Sequence, residues 1–131
     1  MDIRQYAMSP TGVLHLRDAA DNLMYADDAQ KKPMRIHLYS PGSREYQNAE
    51  KRNSTRMMEG MRRKGRAPDP LELRIDLMTA VTQRFENIEY DGLKDEALYR
   101  AVYNDRELRF VRDQVDTYLG ETANFTKAQP E

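Results

Sequence analysis

The sequence predicts an α+β fold, with a small N-terminal antiparallel β-sheet or hairpin followed by about four α-helices and a mainly helical C-terminal part. Three observations carry that prediction. Two short runs in the first third, Gly12–Arg17 and Met34–Tyr39, alternate apolar and polar residues at the period of a half-buried strand. From Ser43 onward the apolar residues take up helical spacing instead. In the last third, two helix-period stripes are separated only by Asn104-Asp105, a connection so short that it predicts an αα-hairpin.

Taken in order, residues 1–11 are polar, with Ser9-Pro10 near their end, and read as a flexible leader. In Gly12–Arg17, Leu14 and Leu16 share one face and His15 and Arg17 the other. Asp18–Asp21 reads as a turn leading into Asn22–Tyr25, and Asp27–Pro33 as a second polar loop. In the next run Met34, Ile36 and Leu38 face one way, and Arg35, His37 and Tyr39 the other. A meander of two or three strands over residues 12–40 is marginal by itself and needs a helix across its apolar face.

Pro41-Gly42 closes the sheet, and Ser43 is suited to cap a helix spanning 43–64. Tyr46, Ala49, Asn53, Met57 and Met61 share one face of it, with Met58 beside them. Gly60 and Gly65 predict a frayed or broken second half, and residues 65–68 read as a linker and hinge. Asp69-Pro70-Leu71-Glu72 combines a cap, a proline at the first helical position and a glutamate that reaches back. Apolar residues from Leu71 through Val81 and Phe85 to Ile88 cover more than one face, which predicts a widely buried spine helix. Leu98, Ala101 and Val102 then mark a shorter helix, with Tyr99 and Tyr103 one turn apart. Leu108, Val111, Val115, Tyr118 and Leu119 mark the last one, started by Asp105 and stopped by a left-handed Gly120. The helical part therefore runs over 69–120, residues 1–125 read as a single domain of ordinary size, and 126–131 as a flexible tail.

Composition narrows the functional classes. With 21 basic and 22 acidic residues the formal charge is -1, against the strongly basic footprint of a dedicated nucleic-acid binder. Cysteine is absent, so disulfide scaffolds and cysteine-based sites are excluded. No apolar run approaches the roughly 18–20 residues that span a bilayer, and Met1–Gly12 lacks a signal-peptide core. The expectation is a protein that stays in the cytoplasm where it is made.

Catalytic signals are sparse. His15 and His37 are the only histidines, and both read as solvated strand-surface residues rather than metal ligands. The carboxylate pairs Asp27/Asp28, Asp95/Glu96 and Asp113/Asp116 read as helix faces and caps. No HExxH, phosphate loop, GxGxxG or GxSxG is present, so neither an enzyme nor a cofactor is expected. The basic segment 51–66 could follow a phosphate backbone, yet no aromatic interleaves its charges to stack on bases. Met57, Met58 and Met61 beside it read either as core filling or as an adaptable groove for an amphipathic helix from another chain.

One stretch carries a resemblance. After the Asp91-Gly92 turn, the segment holding Leu98-Tyr99, Leu108, Gln114-Val115 and Asn124-Phe125 resembles the C-terminal half of the tail assembly chaperones of tailed bacteriophages. An earlier piece, Ile36–Arg52 with its Tyr39-Ser40-Pro41-Gly42-Ser43 turn, is similar to the same family's strand and following helix start. The chain departs from the family at Phe85–Tyr90, where a Trp-rich segment would stand and no tryptophan occurs. The resemblance implies a non-catalytic assembly chaperone that binds the tape measure protein, keeps its hydrophobic helices soluble until tail tube protein polymerises, and is absent from the finished virion. It implies residence in the host cytoplasm, with contact to the tail tube protein and self-association as further partners. The partner-binding residues expected on this reading are Met57, Met58, Met61, Tyr99, Tyr103 and Phe125. Two other readings stand beside it: a small nucleic-acid-binding or regulatory protein using 51–66, and a structural tail component.

Overall fold

The computed structural model describes residues 2–126. Three strands, β1 (Thr11–His15), β2 (Arg35–Tyr39) and β3 (Thr82–Glu86), form an antiparallel sheet in the order β1-β2-β3. Four helices accompany it: α1 (Arg44–Lys64), α2 (Pro70–Val81), α3 (Asp95–Asn104) and α4 (Arg109–Leu119). This is the α+β arrangement that the alternation and the helical spacing predict. The central strand β2 carries Ile36 and Leu38, both wholly buried, and the sheet residues join one hydrophobic cluster with α2, α3 and α4.

The third strand comes from an unexpected place. The spine helix expected to reach Ile88 ends at Val81, and the chain continues as β3. Val81, Phe85 and Ile88 fit a helical stripe, but β2 has a free edge whose N–H and C=O groups need partners. Thr82–Glu86 supplies them, pairing Ile36 with Phe85 and Arg35 with Glu86, with a register irregularity between His37 and Leu38. Asn87, in the left-handed region at φ 60°, ends the strand. Over 70–81 the spine reading stands: Leu73, Ile75, Leu77, Met78, Thr79 and Val81 are buried on more than one face.

The leader is not loose. Residues Ile3–Tyr6 form a 3-10 turn capped by Asp2. Met8 bridges to Thr126, the Ser9 N–H donates to the Phe125 carbonyl at 2.5 Å, and the Ser40 N–H donates to the Pro10 carbonyl at 2.9 Å. The two ends of the described chain are thus tied together, which also orders Thr126, the first residue of the expected tail; 127–131 lie outside the described residues.

Both turns of the first third form as expected. The Asp18 carboxylate accepts from the N–H groups of Ala20 and Asn22, and that of Asp27 from Lys31 and Lys32. Asp91 and Gly92 both lie at positive φ with the Leu93 N–H bonded to the Tyr90 carbonyl, the geometry of a type I′ turn. At the end of α4, Gly120 is right-handed (φ -78°) rather than left-handed, and its N–H still closes onto the helix at Asp116 and Tyr118.

Candidate partner-binding surface

Helix α1 stands apart from the others. Its start is well specified: the Ser43 hydroxyl donates to the Ser40 carbonyl at 2.7 Å and accepts from the Tyr46 N–H at 3.2 Å. Its end is a left-handed Gly65 (φ 70°) following Arg62, Arg63 and Lys64, cations placed where the helix dipole favours them. The helix is unbroken for 21 residues, so the break expected at Gly60 does not occur. That glycine has another use. The 65–68 segment packs back there, and a Cβ at Gly60 would lie 3.0 Å from Pro68 Cδ and 3.2 Å from the Arg66 carbonyl oxygen.

Of all 21 residues only Ala49 is buried. Tyr46 is half-buried against the core, and polar contacts add to the attachment at α2. Asn53, which interrupts the apolar stripe, donates its amide to the Leu73 carbonyl at 2.8 Å, and Arg56 pairs with Glu72 and Asp76. Met57, Met58 and Met61 are therefore left 46%, 72% and 52% exposed, on adjoining turns of one helix edge. The cations around them are partly spoken for, since Glu59 takes both Arg62 and Arg63.

The aromatic candidates lie elsewhere. Tyr103 and Phe125 are wholly buried and Tyr99 is 8% exposed, so these three are core residues and offer a partner no surface. Phe85 of β3 explains the two tyrosines: its ring centroid sits 4.6 Å from that of Tyr99 and 5.8 Å from that of Tyr103. Burial pushes both phenols up from the usual tyrosine value, keeping them neutral. Phe125 packs edge-on to Tyr118 at 5.2 Å and closes the base of the sheet. The pairing of Tyr99 with Tyr103 by helical spacing was correct, but their face meets the unexpected strand.

The histidines are tied down rather than solvated. His15 Nε2 lies 2.9 Å from the Met24 carbonyl with its ring edge-on to Tyr25, and His37 Nε2 lies 2.8 Å from Glu86 Oε1. Among the described residues no group of three or more histidines and carboxylates converges, and no helix is long and apolar enough to cross a membrane.

A second feature escaped the sequence reading. Between α1, α2 and α3 lies an open cleft of about 460 Å³, lined in part by Arg52, Arg56, Asp76, Thr79, Tyr99 and Arg100. Asp76, its side chain 15% exposed, is bracketed by Arg56 from α1 and by Arg100 Nη1 from α3 at 2.5 Å. The Thr79 hydroxyl, also buried, has no hydrogen-bond partner, a deficit that typically costs about 1–3 kcal/mol. The available signal was Asp76 itself, a carboxylate inside the apolar run Leu71–Val81, which requires a cation nearby.

What the fold and this surface define is a small α+β protein with a sealed core and one long, shallowly seated helix that presents methionines. Compared with protein-family models, curated proteins and solved structures, the chain gives no match.

Proposed function

We propose that this chain is a non-catalytic binding protein that receives an apolar helix of another protein on the Met57–Met61 edge of α1. One observation carries the reading: a 21-residue helix with a single buried residue and three exposed methionines. Isolated helices are marginal in water, and this one keeps an unbranched, polarizable apolar edge uncovered; methionine adapts to varied apolar surfaces with little reorganisation. Combined with the resemblance of the Ile36–Arg52 and Asp91–Phe125 segments, the client is the tape measure protein and the role is that of a tail assembly chaperone in the infected host's cytoplasm.

Replacing Met57 and Met61 together by Glu tests this. Co-purification with the tape measure protein should be lost while the thermal unfolding curve of the free protein stays within about 2 °C of wild type, because exposed positions change stability little. A collapsed unfolding curve, or undiminished client binding, would reject the surface. The nucleic-acid alternative draws less support, because Arg62 and Arg63 are both paired with Glu59 and no aromatic side chain lies among the charges of 51–66 to stack on bases. A gel shift at two salt concentrations separates the two readings. Mass spectrometry of purified virions separates a chaperone from a retained tail component.

A further inference from the structure

We propose that the cleft between α1, α2 and α3 binds a small oxyanion, a phosphate or carboxylate group, held by Arg52, Arg56 and Arg100 with the Thr79 hydroxyl as its innermost donor. Three guanidinium groups line this cleft against the carboxylates of Asp76 and Glu96, so its lining is cationic by one charge. The acids do not exhaust the donors. A guanidinium carries five N–H groups in a rigid fork suited to two-point contact with an oxyanion. Arg56 spends one Nη on Asp76 and the other on Glu72. Arg100 spends Nη1 on Asp76 and reaches Glu96 only at 3.6 Å. Arg52 forms no ion pair among the described residues and lies on the same helix one turn before Arg56.

Asp76 acts here as an orienting group. It rises from α2 between two cations that belong to different helices, fixing both around one opening. Thr79 lies one turn further along α2, is 5% exposed and lines the cleft, and its buried hydroxyl has no hydrogen-bond partner. A hydroxyl buried without a partner beside three arginines is the arrangement that a bound oxyanion completes. The chemistry stops at the oxyanion: Tyr99 is the only ring lining the cleft, and it is packed against Phe85, which leaves no platform for a base.

The test uses the full chain, ¹⁵N-labelled, at constant ionic strength in chloride, titrated with inorganic phosphate in one arm and N-acetylglutamate in another. Saturable shifts are expected at the Arg52–Arg56, Thr79 and Arg100 signals in at least one arm. Saturation by phosphate alone assigns the site to a phosphoryl group, and saturation by N-acetylglutamate alone to a carboxylate carried by a partner. Thr79→Val and Arg52→Gln should each weaken binding about fivefold, the effect of one hydrogen bond. Arg52 is exposed, so its variant stays informative if Thr79→Val perturbs the fold. Linear shifts in both arms, or affinity untouched by both substitutions, would overturn the site. Met61→Gln, a neutral change more than a turn beyond Arg56, should leave anion affinity unchanged, which keeps this outcome separate from that of the client-binding surface.

Discussion

Thr82 and Tyr103 form the most consequential polar contact in the core, and proton counting fixes its direction. The Thr82 hydroxyl lies 2.7 Å from the Met78 carbonyl and 2.6 Å from the Tyr103 hydroxyl. A carbonyl can only accept, so the single Thr82 proton goes to Met78 and Tyr103 must donate to Thr82. Thr82→Val therefore leaves a wholly buried phenol O–H without an acceptor, whereas Tyr103→Phe leaves Thr82 still bonded to Met78. Urea unfolding should show Thr82→Val costing about 1–3 kcal/mol and Tyr103→Phe less, with the double variant well short of the sum. Equal single costs that add would mean the contact is not made. At this scale the sequence is a partial guide. Helical spacing placed Tyr99 and Tyr103 on one face of α3, but only β3 decides that the face is inside. Conversely Met57, Met58 and Met61 lie on a stripe that the sequence could not assign to core or surface; α2 holds α1 at Asn53 and Arg56, and beyond them the 65–68 segment packs back at Gly60, leaving the methionines uncovered.

Among the elements, those whose ends carry local chemistry were readable in advance: Ser43 before α1, Asp69-Pro70 before α2 and Asp105 before the Arg106–Leu108 turn all act as caps. Asp105 does double duty, its carboxyl held below the usual range chiefly by the Tyr90 O–H at 2.8 Å. The switch from α2 to β3 was not readable, because Val81, Phe85 and Ile88 satisfy a helical period and the competing strand partner lies over forty residues upstream. Long-range pairing overrides local period here. The β2–β3 seam also carries a pH response. Glu86 only accepts as a carboxylate, so His37 Nε2 must carry the proton between them, and that bond is the main cause holding the Glu86 carboxyl below its usual value. A carboxyl whose folded value is depressed stabilises the protein above its unfolded value of about 4.3, and that stabilisation is lost as pH falls through the folded value. Glu86→Gln should accordingly be less stable than wild type near neutrality, and the gap should close as the medium is acidified below about pH 4. A gap that stays constant across a denaturant series at descending pH would exclude the seam as the source.

Seen whole, the molecule is closed by Gln114, Asn124 and Phe125. Gln114 acts as a substitute strand partner: its side-chain amide accepts from the Arg17 N–H and donates to the Arg17 carbonyl, both at 2.7 Å, holding the end of β1 to α4. Asn124 donates to the Tyr118 carbonyl at 3.0 Å and sets the turn that drives Phe125 inward. Gly12 makes room for that turn, since a Cβ there would lie 2.7 Å from the Tyr118 hydroxyl and 2.8 Å from the Phe125 ring. Gln114, Asn124 and Phe125 are thus accounted for by closure, and the methionine edge of α1 lies outside it. The sequence showed the α+β class and most helices, yet it read residues 1–11 as loose because a terminal segment pinned by backbone bonds to the opposite end carries no periodic signal. Phe125→Ala tests the closure. Removing a wholly buried ring should cost about 3–5 kcal/mol, and the loss should be felt at both ends of the chain. Amide exchange at Ser9 and Ser40, whose N–H groups bond to Phe125 and Pro10, should accelerate more than exchange in α2 at temperatures where the variant remains folded. Uniform acceleration throughout would show instead that the terminal turn and the spine unfold as one cooperative unit.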